Sequence, residues 1–324
     1  MDLTALGARL RLIARPRPLL VEVPGSTGLR WAVESQLRDL GWVVAASPAE
    51  ADLLVVCGRP GPELAAAVDV VWDQLPTPRA RVTVTDVAQA GSDLRTAGAQ
   101  LGDVFLQRRD LAARGPGPQD QEMAPGGLDM AEQGEDRDGL RLDQLHPVWG
   151  PVLPDWPAGL RLAVTLQGDV VQEVGVHVLD RGVGGPDDEL DPRAVAADEI
   201  GRLLAVVGWP AAAERARWVR DELAAGRDPG PRRDALAGRV RGSRGLRAAT
   251  VGVGLHQESD AADRLTNLLT AMTGAGVAPA LRHDREASLV ALPGLLPGLE
   301  VGAARLVVAS LPLSPVAARV VARG

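Results

Sequence analysis

The sequence predicts an α/β protein in two parts, a parallel sheet with helices on both faces followed by a smaller α+β region of a β-hairpin plus helices. Three observations carry this. Short apolar runs alternate with helical apolar stripes from residue 19 to residue 85. A stretch rich in Gly, Pro and charge interrupts the chain at 109–139. An alternating run at 160–178 turns about a central glycine. The domains are therefore placed at 1–108 and 140–324, with 109–139 as a linker or long surface loop.

In the first part, residues 19–23 (LLVEV) form a strand that ends in the Gly-rich turn 24–28. Leu29, Ala32, Val33, Leu37 and Leu40 then recur at helical spacing, and Gly41 stops the helix. Residues 53–57 (LLVVC) read as a fully buried strand. Pro62 suits a first helical position, and Leu64, Val68, Val71, Trp72 and Leu75 make the next apolar stripe. Residues 81–85 (RVTVT) supply a third strand. In the second part, residues 140–159 are rich in Pro and Trp and read as extended, because proline fixes its own φ and disfavours helix in the residue before it. A hairpin follows at 160–178. Two helices are predicted at 193–225, split at Gly208 to Pro210, with further helices at 232–252 and 261–273. Residues 303–311 read as a closing strand.

Composition narrows the chemistry. The 324 residues carry a formal net charge of −7, which argues against a surface built to neutralise nucleic-acid phosphates. All 35 basic residues are Arg, a bias that a GC-rich coding sequence produces, and without lysine there is no Schiff base and no phosphate-loop lysine. The one cysteine, Cys57, forms no internal disulfide and no metal site, which fits a reducing cytoplasm. The N-terminal MDLTALGARLRLIARPRP does not read as a secretory signal. No uninterrupted apolar run approaches the length of about eighteen residues that spans a membrane.

One loop is a weak candidate for binding. Gly25, Ser26, Thr27 and Gly28 lie between a strand and a helix, where backbone N–H groups and the helix dipole can hold a phosphate. The simpler reading makes Ser26 or Thr27 an N-cap in a tight turn. Asp136, Asp138 and Asp143 have a faint calcium-loop rhythm without the terminal bidentate Glu, and read as a solvated acidic loop. His146, His177, His256 and His283 are scattered and read as structural. The Arg-rich stretch 214–247 reads as a salt-bridged face, with Arg217 and Asp221 one turn apart, or as a docking face for an acidic partner or lipid phosphates.

Two resemblances bear on function. Residues 51–58 (ADLLVVCG) followed by 70–78 (VVWDQLPTP) resemble the small subunit of complex I that carries the terminal [4Fe–4S] cluster, a family shared with energy-converting hydrogenases. The resemblance implies a flavodoxin-like α/β fold and cysteine ligands. This chain has Arg30 and Trp31 ahead of Ala32-Val33-Glu34, where that family has its adjacent cysteines, and Val87 where the next one falls. A cluster needs about four converging thiolates. Residues 160–182, 197–223 and 306–319 resemble, more weakly, the neighbouring large subunit that forms much of the quinone cavity. The turn 150–159 lacks that family's quinone-facing histidine, and the chain has no tyrosine to partner it. The resemblances together imply a non-catalytic structural subunit of a membrane-bound, complex I-like assembly (NADH-quinone oxidoreductase or hydrogenase related). No cofactor, metal or catalytic residue is expected. Its partners would be the other subunits, with only peripheral contact at the inner face of the cytoplasmic membrane and none with nucleic acid. The 25–28 loop also resembles faintly the phosphate loop of flavodoxins, so a flavin- or nucleotide-binding protein is the alternative.

Overall fold

The structure, a computed structural model, describes residues 15–114, 133–135, 141–180, 190–274 and 285–313. The chain forms two compact units. One comprises residues 1–131 with 151–154 and 179–185, and the other holds 132–150, 155–178 and 186–324.

The first unit is a three-stranded parallel sheet of β1 (Pro18–Glu22), β2 (Leu53–Cys57) and β3 (Ala80–Val84), in that spatial order. Helix α1 (Thr27–Leu40) joins β1 to β2, and α2 (Pro62–Gln74) joins β2 to β3. The period of two in β2 separates two cores. Leu53, Val55 and Cys57 pack with Val33 and Leu37 of α1. Leu54 and Val56 point the other way and pack with Leu64 and Val68 of α2. Every side chain of β2 is therefore buried, as its unbroken apolar run requires.

The strand order has a further consequence. It advances β1-β2-β3 without reversing, while α1 and α2 cover opposite faces. The two crossovers are thus of opposite hand, although parallel connections are almost always right-handed. In the flavodoxin-like order the first strand lies between the second and third, and the reversal opens a ligand crevice. Here β1 is at an edge, and no such reversal occurs among the described residues.

Two helices of this unit have no clear apolar stripe in the sequence. Helix α3 (Ala90–Gln100) buries only Ala90, Leu94 and Ala97. Helix α4 (Val104–Ala113) continues through residue 108, the predicted domain edge, and is held by polar contacts. Its buried Gln107 donates from Nε2 to the carbonyls of Arg79 (3.0 Å) and Gln100 (2.9 Å), and accepts from the Arg79 amide at 2.9 Å. The Arg79 guanidinium pairs with Asp110 at 2.8 Å and stacks 4.0 Å from the Trp72 ring centroid.

The first turn of α2 is capped from far along the chain. Asp180 accepts from the amides of Glu63 and Leu64, both at 3.1 Å, and its own amide donates to Glu63 Oε2 at 2.8 Å. These are the reciprocal bonds of a capping box, supplied by a residue 117 positions from Glu63. Gly61 makes the approach possible, since a Cβ there would lie 2.5 Å from the Asp180 carboxyl carbon.

The second unit begins with an antiparallel sheet of β4 (Gln133–Glu135), β5 (Arg141–Leu145), β6 (Val148–Trp149), β7 (Leu160–Gln167) and β8 (Val170–Val178). The hairpin β7–β8 turns at Gly168, whose φ of 58° suits a residue without Cβ, and carries a bulge between Thr165 and Leu166. Helices α5 (Pro192–Val206), α6 (Pro210–Ala224), α7 (Gly230–Arg241), α8 (Arg244–Thr250), α9 (Ala261–Thr273), α10 (Arg285–Leu295) and α11 (Val301–Ser310) follow. The predicted helix at 232–252 is two helices, because the chain breaks at Gly242 and Ser243 caps the next turn, its Oγ accepting from the Leu246 amide.

The predicted closing strand at 303–311 is instead helix α11. Its short apolar run has no decisive period by itself. Ala304, Val307 and Val308 share one buried helical face, and Leu306 is buried as well. Arg264 on α9 ties this end of the unit together. Its guanidinium donates to Ser310 Oγ at 2.9 Å and to the carbonyls of Gly254 (2.9 Å) and Ser259 (2.7 Å), and burial lowers its pKa to about 10.

Helices α5 and α6 approach closely through small residues. Gly201 faces Ala213 and Ala216, and Ala194, Ala197 and Ala212 are fully buried. Within this pair Arg220 is 0% exposed and forms ion pairs with Asp198 and Asp221, both at 2.8 Å. Asp198 also lies 3.3 Å from Arg202. Arg217, one turn from Asp221, reaches Asp155 at 2.6 Å and pairs with Glu214 as well. Much of the remaining Arg-rich stretch is also internally matched. Arg227 pairs with Glu222, Arg233 with Asp228 and Asp234, and Arg232 lies over the Trp218 ring.

Candidate functional site

In parallel α/β sheets ligands bind beyond the carboxyl ends of the strands. Here that edge gathers Glu22, the 23–28 loop, Cys57 and Gly58. The sheet ladder extends past the strands by bonds from the Val23 amide to the Cys57 carbonyl (3.0 Å) and from the Gly58 amide to the Val84 carbonyl (2.8 Å). Gly25 takes a φ of 78° and turns the chain into α1.

The polar groups of this loop are directed at one another. Thr27, 2% exposed, donates from Oγ1 to Glu22 Oε1 at 2.7 Å. Arg30 Nε pairs with Glu22 Oε2 at 2.9 Å, and its Nη1 pairs with Glu34. The Glu22 and Glu34 carboxylates and the Arg30 guanidinium thus share a largely buried cluster. An incoming phosphate would meet the Glu22 carboxylate beside the very helix N-terminus that could bind it. Trp31 is buried beside them, 4% exposed.

Ser26 occupies the N-cap position, but its side chain makes no capping hydrogen bond. Its hydroxyl instead lies against Gly58, where an added Cβ would be 2.2 Å from Ser26 Oγ and φ is +103°. Of the two expected N-cap candidates, Ser26 or Thr27, Ser26 takes the position without supplying a side-chain bond. Gly28 lies within the first turn of α1. Replacing Ser26 with Ala should change stability by no more than about 0.5 kcal/mol, whereas Thr27→Val should cost about 1 kcal/mol by removing a donor from buried Glu22. Neither variant nor the wild type should give a binding heat with flavin mononucleotide. Chemical denaturation and titration calorimetry check both statements.

The positions that would carry cluster ligands hold no further thiols. Cys57 is fully buried, and burial pushes its thiol far above the ordinary range, so it stays protonated and unreactive. Val87 sits exposed in a 3-10 turn, and Arg30 is committed to Glu22 and Glu34. Among the described residues no group of three or more His, Cys, Asp or Glu could hold a metal ion. Asp136, Asp138 and His283 lie outside the described residues, and Asp143 is on β5. His256 lies in the loop before α9, paired through its backbone with Ser259, while His177 is exposed on β8. Glu22 was missed as a site residue, its only signal in the sequence being a lone acid interrupting an apolar strand.

Fold and site define an α/β protein whose strand-end loop is occupied by its own side chains. No protein-family model matches the chain, and comparisons with curated proteins and with solved structures return no match.

Proposed function

We propose that the chain is a non-catalytic structural subunit of a membrane-bound assembly related to complex I or to energy-converting hydrogenases, with the cluster and quinone ligands of such subunits lost. The observation that carries the non-catalytic part is the Thr27–Glu22–Arg30–Glu34 cluster, which fills the strand-end loop with buried side chains bonded to one another. The strand order adds to it, since among the described residues no reversal opens a crevice. The link to the redox assemblies rests on the resemblance of residues 51–58 and 70–78 to the cluster-bearing small subunit, and of 160–182 to the hairpin of its large neighbour. The apolar framework of a fold can outlast its cofactor when docking surfaces are what remains in use.

No helix among the described residues is long and apolar enough to cross a membrane, so attachment in this reading is peripheral and through partner subunits. Salt or mild detergent should release the protein from native membranes together with other chains, which mass spectrometry of the co-purifying material identifies. Recovery as a lone monomer in the soluble fraction overturns the scaffold reading. Anaerobic reconstitution with iron and sulfide should leave the purified protein colourless, and stoichiometric iron with cluster absorption would overturn the loss of ligands. Saturable binding of flavin mononucleotide by the wild type would favour the flavodoxin-type alternative instead.

A further inference from the structure

The antiparallel sheet of the second unit carries an open depression of about 570 Å³ on its solvent-facing side, where Ala163, Glu173 and Gly175 are exposed. Strands β5 and β6 hold one continuous register along β7, Leu145 opposite Leu166 and Val148 opposite Ala163, interrupted only at His146–Pro147. His146 therefore falls opposite Thr165, and its Nδ1 lies 3.2 Å from Thr165 Oγ1. Thr165 in turn pairs with Glu173 on β8. These three side chains form one polar row across the sheet. In the next row of the same face Ala163 pairs with Gly175, which gives a low, flat floor. Pro293 of α10 and Pro297 just beyond it make an apolar rim.

Gly175 is the informative residue. Glycine weakens a strand interior and often marks a place where something approaches the backbone closely. Among the described residues nothing requires it here. A Cβ would meet only ordinary contacts, the nearest being Ala163 Cβ at 3.6 Å. The charge of the depression is equally one-sided, because Glu173 is the one acidic or basic lining residue apart from His146, and no arginine lines it among the described residues.

We infer that this depression binds a small organic cation with a flat apolar body, its ring resting on the Ala163–Gly175 floor against the prolines and its ammonium group meeting Glu173. The inference stands apart from the proposed scaffold function, since it rests on other residues.

Tryptamine, titrated by calorimetry into the full-length protein, is a suitable probe, with indole-3-acetate as the control of the same ring and opposite charge. Saturable binding of tryptamine is expected, with indole-3-acetate at least about tenfold weaker. Glu173→Gln should weaken tryptamine by about tenfold or more. Gly175→Val should abolish binding while leaving the melting temperature equal or higher, because valine suits a strand and finds space. Absence of saturable tryptamine binding by the wild type overturns the inference, as do equal affinities for the two indoles or undiminished binding by a folded Gly175→Val variant.

Discussion

Replacing Arg220 with Met is expected to destabilise the second unit by about 3 kcal/mol or more, one of the largest single-residue effects in the molecule. Arg220 is wholly buried between α5 and α6, and its guanidinium is shared by Asp198 and Asp221. Removing it takes the 2.8 Å guanidinium contact from Asp198, which is 5% exposed and also lies 3.3 Å from Arg202. The cost comes from the stranded carboxylate more than from the lost bond, since burying a charge pair gives little net gain over apolar packing. The double change Arg220→Met with Asp198→Leu should therefore regain much of the loss. Urea denaturation of the three proteins checks this, and a single-variant cost below about 1 kcal/mol would place the pair among ordinary surface ion pairs.

Glu199→Gln should flatten a pH dependence that the wild type shows between about 4.5 and 7. Glu199 is half-buried on α5, and its carboxyl is pushed up to about 7, chiefly by burial and further by Asp198, against the lowering effect of Arg202. Its folded pKa lies above its unfolded value, so the folded state binds more protons through this window. Stability from this group is thus fully present below the unfolded pKa of 4.5 and is lost as pH rises to about 7. The loss is on the order of 2 kcal/mol once partial exposure is allowed for. The difference between variant and wild-type melting temperatures, followed from pH 4.5 to pH 8, isolates this group from the other titrating side chains. The variant should gain on the wild type as pH rises, and a constant difference would contradict the shift.

How much of this was visible in the sequence depended on apolar pattern. Strand β2 coincides with its predicted bounds at Leu53–Cys57, because an unbroken run flanked by turn residues leaves few alternatives. The hairpin at 160–178 and the helix break at Gly208 to Pro210 were equally legible, each marked by glycine or proline. Helix α4 was not, since Gln107, Asp110 and Arg79 hold it in place of an apolar stripe. Helix α11 reads as a strand in the sequence because four consecutive apolar residues, Leu306 to Ala309, fit either period. At the candidate site the glycine turn was readable, but the pairing of Thr27 and Arg30 with Glu22 was not. That pairing depends on side-chain directions at the end of β1, which spacing alone does not specify. The sheet-face depression escaped for a related reason, because His146, Thr165 and Glu173 meet only through cross-strand register.

The Asp180 cap bears on the order in which the protein can be made and rearranged. Domains commonly fold in turn as they leave the ribosome. The amides at the start of α2 receive their carboxylate only after 117 further residues have been synthesised beyond Glu63, including the whole of the β7–β8 hairpin. Until then the first unit is an unfinished article of manufacture, with Gly61 holding open a place for a side chain not yet translated. Genetic separation meets the same obstacle. A gene fragment ending before residue 180 encodes all three parallel strands yet leaves α2 without its cap, so the first unit is complete only when the chain has run on to its 179–185 segment.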